Sequence, residues 1–175
     1  MKRGGGNRKG ASFERSMCKT FSRWLTAGKR VDIFWRTAMS GGRATVMARR
    51  GVDIRQGGDM CSQDPDGHVL TDYLYFEFKH LKKIPVESLL MRRGLLHKVW
   101  AKAQRESLRA GKNLVLVMRQ NGSPITVLAD GGAARYLRIK ARMTVHEYDM
   151  HVCLLKDLLA SPPPRRRVRL ITRQS

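Results

Sequence analysis

Glu77 and Lys79, within the run Tyr73-Leu74-Tyr75-Phe76-Glu77-Phe78-Lys79, put a carboxylate and an ammonium two residues apart. At the strand period of two, Tyr73, Tyr75, Glu77 and Lys79 share one face, while Leu74, Phe76 and Phe78 share the other. The second face asks for a core, and the first carries charge. Upstream, Gly57-Gly58-Asp59 sets another carboxylate directly after two glycines, where the backbone can come close to a metal and a phosphate. A hard cation such as Mg2+ takes one or two carboxylates and fills its remaining positions with water and phosphate. It polarises phosphoryl oxygens and acidifies water, while a neighbouring lysine offsets charge developing on the phosphorane. These residue types suit hydrolysis of a phosphodiester. Taken alone, an alternating strand with charges on one face is a solvated sheet edge. The bulky aromatic flanks, the second acid and the basic chain around it favour the chemical reading.

A third acid, Glu14, stands in the first turn of an opening helix. Glu14, Cys18, Phe21 and Leu25 follow helical spacing, so Glu14 borders the packed face. It serves equally as a partner for the helix N-terminus or as a ligand near the metal. His80 alternates to the side of the strand opposite Lys79 and reads as structural. Gln104 reads as part of a solvated helix face, and Trp24, Trp35 and Trp100 read as core.

The elements around these residues follow from punctuation and period. Residues 1–10 read as a flexible basic arm. A helix starts near Ala11 or Ser12 and runs to Ala27, with Gly28 as its stop and Phe13, Met17, Phe21, Trp24 and Leu25 as its stripe. Val31–Trp35 is a strand candidate, and residues 38–58, rich in glycine and arginine, read as a ligand-facing loop. Asp64-Pro65-Asp66-Gly67 signals a turn, which would place Asp59 and Glu77 on neighbouring strands of a hairpin. A helix over 86–109, broken near Gly94, precedes strands at 114–118 and 125–128 joined by Asn121-Gly122-Ser123-Pro124. A short helix over 131–138 and strands near 143–148 and 151–155 follow. The domain then spans 11–160, and residues 161–175 form a Pro/Arg-rich tail expected to be disordered until it meets phosphate. This order predicts one mixed α/β domain with basic ends.

The chain has 175 residues, 35 Lys plus Arg against 14 Asp plus Glu, and a formal charge of +21. Such an excess favours a polyanionic partner, nucleic acid first. No apolar stretch reaches the ~18 residues of a membrane span. Cys18, Cys61 and Cys153 are odd in number and widely spaced, which points to reduced thiols in a cytoplasm rather than a disulfide framework or zinc knuckle. No secretory h-region, Walker-type loop or nucleophilic Ser/His or Cys/His arrangement stands out.

Ser12-Phe13-Glu14-Arg15, the segment from Trp35 to Ser40-Gly41-Gly42, Gly58-Asp59 and Glu77-x-Lys79 occur in the order seen in PD-(D/E)XK nucleases. Over roughly residues 11–120 the chain most resembles Holliday junction resolvases of the archaeal type and their bacteriophage-borne relatives. It departs in carrying Gly-Asp where the family's first motif is Pro-Asp. The resemblance implies a restriction-endonuclease-like mixed β-sheet flanked by helices. It also implies Mg2+ dependence, with Mn2+ as a substitute, and a homodimer that cuts paired strands of branched DNA. Asp59 and Glu77 would then be metal ligands, Lys79 the catalytic lysine and Glu14 the helix-borne acid beside the metal. Arg15 and Ser40 match positions near the phosphate backbone. Arg43, Arg49, Arg50 and Arg55 would add phosphate contacts that set affinity without reading sequence. Such an enzyme would work on the nucleoid of a bacterium or phage-infected host. A repair, restriction or nicking endonuclease keeps the same site on another substrate, and a non-catalytic basic DNA-binding protein is the reading of another class.

Overall fold

The opening helix α1 (Gly5–Leu25) is long because one stripe of it has a sheet to cover: Phe13, Met17, Cys18 and Phe21 are buried, with Trp24 and Leu25 packed beside them. The computed structural model describes residues 5–37, 58–62 and 64–165. α1 begins at Gly5 rather than at Ala11 or Ser12, so residues 5–10 of the expected arm are helical. Once the aromatic stripe anchors the helix, each added residue gains a hydrogen bond against a cost of about 1 kcal/mol per glycine. The helix ends at Leu25 rather than Ala27, and the expected stop at Gly28 is in place. Gly28, at φ +86°, donates its N–H to the Arg23 carbonyl (2.7 Å) and closes the last turn.

Two short strands, β1 (Trp35–Arg36) and β2 (Met60–Cys61), pair antiparallel beside the helix. Only Trp35 of the expected 31–35 strand lies in one. Ile33 and Phe34 are buried, but serine side chains satisfy their backbone: Phe34 N–H donates to Ser22 Oγ (3.0 Å) and Ser62 Oγ donates to the Ile33 carbonyl (2.7 Å). Asp64 then accepts from Asp66 N–H to cap a 3-10 turn over Pro65–Gly67, which leads into α2 (His68–Thr71).

The main sheet has five strands: β3 (Leu74–Leu81), β4 (Asn113–Gln120), β5 (Thr126–Asp130), β6 (Met143–Val145) and β7 (Met150–Leu154). Their order is β3-β4-β5-β7-β6; β3 and β4 are parallel and every other pair is antiparallel. Parallel neighbours need a crossover. It is supplied by α3 (Glu87–Leu90) and α4 (Leu95–Arg109), split at Gly94 (φ +96°), where the break was expected. Asp130 caps α5 (Gly131–Leu137), its Oδ1 accepting from Ala133 N–H and its Oδ2 from Leu114 N–H. A further helix, α6 (Leu155–Ala160), follows β7; of its residues only Leu155 belongs to an expected element, the strand over 151–155.

The sheet is covered on both faces. On one side, α1, α5 and α6 pack on Phe76, Phe78, Val115, Val117 and Val127. On the other, Leu96, Trp100 and Ala103 of α4 pack on Tyr75, Leu114, Leu116 and Met118. β4 is therefore apolar along its whole centre, as a strand with a parallel neighbour and two covered faces must be. This is a single-domain, restriction-endonuclease-like α/β fold with a five-stranded mixed sheet flanked by helices. Trp100 is fully buried, whereas Trp35, expected in the core, is 58% exposed because its strand is a two-residue rim. No helix among the described residues is long and apolar enough to cross a membrane.

Candidate active site

Asp59 and Glu77 meet along the outer rim of β3, but not by a hairpin. The link is a parallel bridge between Gly58 and Phe76, because the turn at Asp64–Gly67 opens into helix α2 and returns the chain in the same direction. Asp59 clasps the strand twice: its N–H donates to the Phe76 carbonyl (2.7 Å), and its Oδ2 accepts from Phe78 N–H (2.8 Å). Gly58 makes this possible. Its φ is +91°, and an added Cβ would lie 2.4 Å from the Phe76 oxygen, so no other residue fits without displacing Asp59. The close approach that the glycine permits is therefore to the strand itself.

Glu77 and Lys79 point away from α1, and the Lys79 ammonium donates to Glu77 Oε1. Glu77 is only 7% exposed and Asp59 only 4%, so two carboxylates share a dry rim. Burial, reinforced by the charge of Glu77, pushes Asp59 up to about 7; the Phe78 N–H bond and Lys79 oppose the rise, and Glu14 adds to it. Burial works against the charge on Lys79. Attraction to Glu77, the hydrogen bond to it, and the charges of Asp59 and Glu14 outweigh that and raise its pKa. Tyr75, on the same face, donates its hydroxyl to Glu106 Oε2 (3.2 Å), and burial and then Glu77 raise its pKa strongly.

Among the described residues no three His, Cys, Asp or Glu side chains group as a metal cage. Asp59 and Glu77 nevertheless fit a hard divalent cation. Each spends one described hydrogen bond on one carboxylate oxygen, to Phe78 N–H and to Lys79. The second oxygen of each is left for an ion that accepts water and phosphate as its other ligands.

Glu14, the third acid, is held in an ion pair by Arg36. Its charge still reaches Asp59 and Lys79. Arg36 itself stands opposite Met60, next to Asp59 in the β1–β2 ladder, and Thr37 N–H donates to the Asp59 carbonyl (3.2 Å). Neither residue was singled out from the sequence, since a two-residue strand shows no period; their one signal was membership of the segment beginning at Trp35. Arg15 lies exposed on α1. Ser40, Arg43, Arg49, Arg50 and Arg55 lie outside the described residues. His80 belongs to the other face, as expected, packed on Phe13 with its Nε2 2.8 Å from Asn121 Oδ1. Cys18 sits near the site as an inert thiol, pushed up to about 12 by burial first and then by Cys61, Asp59 and Glu14.

The arrangement presents two buried carboxylates and an ammonium on a sheet rim of a strongly basic chain, which is equipment for a phosphodiester substrate. No curated protein and no solved structure matches the chain. The profile of the family described as "Phage putative PDDEXK endonuclease" matches residues 5–161, well past the 11–120 span of the motifs, and the chain belongs to that family.

Proposed function

We propose that this endonuclease is metal-dependent and selective for DNA structure, cutting four-way or otherwise branched DNA as a homodimer. The observation that carries the reading is the convergence of Asp59, Glu77 and Lys79 on one rim, in a chain of charge +21. Asp59 and Glu77 would hold Mg2+, or Mn2+ in its place. Bound there, the ion would supply Lewis-acid stabilisation of the phosphoryl group. The remaining work belongs to the chain. Lys79, kept protonated and aimed by Glu77, places positive charge where the phosphorane oxygens gain negative charge. The Phe78 N–H and the Gly58–Phe76 bridge hold Asp59 to the strand, so carboxylates and lysine move as one unit. Arg15 and the arginines of 43–55 would contact phosphates and read no bases, which suits a protein that recognises the shape of a junction.

The test is cleavage of a labelled synthetic four-way junction and of a linear duplex of the same sequence, each with Mg2+ and with EDTA. Paired, metal-dependent cuts near the branch with little duplex cleavage are expected. Equal cutting of both substrates would remove the structure selectivity and favour a repair, restriction or nicking role. Cutting in EDTA would remove the metal.

A further inference from the structure

The three tryptophans of the chain have different surroundings. Trp100 is fully buried, and Trp24 packs edge-on against Phe21 and donates its indole N–H to the Ser161 carbonyl (2.8 Å). Trp35 is 58% exposed, which leaves on the order of 100 Å2 of its ring in water. A lone exposed apolar side chain is ordinary on a protein surface. What sets this one apart is its position.

The backbone that carries Trp35 is fixed. Trp35 and Arg36 pair with Cys61 and Met60, and the Cys61 thiol donates to the Trp35 carbonyl (3.6 Å). Arg36 is tied to Glu14, and Thr37 N–H donates to the Asp59 carbonyl (3.2 Å). The indole therefore stands on a held rim, and ordering it against a ligand costs little.

The same ladder leads from the indole to the site. The register that sets Trp35 against Cys61 and Arg36 against Met60 brings Thr37 opposite Asp59. Facing residues of an antiparallel pair share a side, and so do alternate residues of one strand. Trp35, Thr37 and Asp59 thus lie along one side of the ladder, while Arg36 and the buried Met60 take the other, toward α1. Two residues of strand put Thr37 about 7 Å from Trp35, and the ladder adds about 5 Å to Asp59. A nucleotide next to a phosphate bound at Asp59 has that reach. Thr37 supplies a second observation. Its side chain is 4% exposed, and its hydroxyl has no hydrogen-bond partner. A buried hydroxyl left unpaired is costly, and a phosphate oxygen on this side of the ladder would give it an acceptor.

We infer that Trp35 is a stacking platform for an unpaired nucleobase beside the phosphate held at Asp59 and Glu77. An indole offers every base the same π face, so the contact responds to lack of pairing rather than to sequence. Bases inside a continuous duplex are already stacked, and pulling one out is costly. Splayed bases at a fork or flap have a free face. The inference rests on the nuclease site of the proposed function and narrows its substrate to branched DNA with unpaired nucleotides at the branch.

The experiment is binding of the full chain, in EDTA, to three labelled DNAs: a linear duplex, the same duplex ending in splayed unpaired arms, and the splayed form with abasic sites in its arms. The two splayed DNAs carry the same phosphates. The base-bearing one should bind about tenfold tighter than the abasic one, the contribution of one stacked base. Trp35→Ala should erase that difference and leave duplex affinity and circular dichroism unchanged, as substitution of an exposed side chain allows. Trp35→Phe, which keeps a ring, should retain most of it. The base-bearing arms should quench tryptophan emission of the wild type, whereas the emission of Trp35→Phe, which comes from Trp24 and Trp100, should not respond. Equal affinity for the two splayed DNAs, or quenching that persists in Trp35→Phe, would overturn the inference. A chain that cuts branched DNA with Mg2+ yet binds both splayed forms alike would sink the platform alone; one that binds no DNA would sink the proposed function with it.

Discussion

The two faces of strand β3 are built for different tasks. Phe76 and Phe78 face α1 inside an aromatic cluster in which Phe21 lies 5.0 Å from Phe76 and Phe13 lies 6.3 Å from Phe78, ring centre to ring centre. Such edge-on contacts among buried rings leave the strand one position. On the reverse face, Glu77 and Lys79 are also largely withdrawn from water, yet their partners are charges, and Tyr75 and Met118 flank them with apolar walls. One face stores the stability and the other spends part of it on burying two acids. The division would let a nuclease site stand on a sheet rim. Precision in the carboxylates is inherited from backbone that the opposite face has already immobilised, and Asp59 is tied to that same backbone at Phe76 and Phe78.

The sharpest way to break this comparison is to empty the packed face. Phe76→Ala should cost about 3–5 kcal/mol of stability, read by urea or thermal unfolding, because a fully buried ring leaves a cavity that its neighbours cannot close. The charged face should respond oppositely. Lys79→Ala should lower cleavage by about 10²–10³-fold, roughly 3–4 kcal/mol in the barrier, while the folded protein still binds DNA. If Lys79→Ala cut DNA at the wild-type rate, Lys79 would have no place in the site; if it unfolded as Phe76→Ala does, the two faces would not be separable.

The smallest effect concerns Asp59 and pH. Its folded pKa is raised from the ordinary 3.8 to about 7. Stability from this group is therefore fully present below the unfolded value and is lost as pH rises through the folded one. The thermal midpoint of the metal-free protein should fall by a few degrees between mildly acidic and mildly alkaline pH. Asp59→Asn, which can still accept from Phe78 N–H, should flatten that profile, and Mg2+ should restore the wild-type midpoint at the alkaline end. A profile as steep in Asp59→Asn as in the wild type would place the pH response elsewhere.

Much of the architecture was legible in the residues. Period-two alternation through 73–79 separated the packed from the charged face, helical spacing marked the stripe of α1, and glycines marked the breaks at 28 and 94. These signals are local, carried within one or two turns of chain. The acids and the lysine were legible too, because their types restrict the chemistry. What escaped was set by distance along the chain. Arg36 reaches Glu14 across 22 residues, and nothing in either neighbourhood announces the pair. The serine hydroxyls that replaced a ladder at Ile33 and Phe34 come from α1 and from Ser62.

The sequence by itself determined that β3 would carry Glu77 and Lys79 on one face, that Asp59 would follow a glycine, and that the chain would seek a polyanion. Only the tertiary structure decided that Asp59 approaches β3 in parallel through Gly58, that Glu14 is held by Arg36, and that Trp35 lies outside the core. The reason is physical. Side-chain period and charge are properties of the chain, whereas bridge direction, ion-pair choice and burial depend on which crossover packs first against a shared sheet.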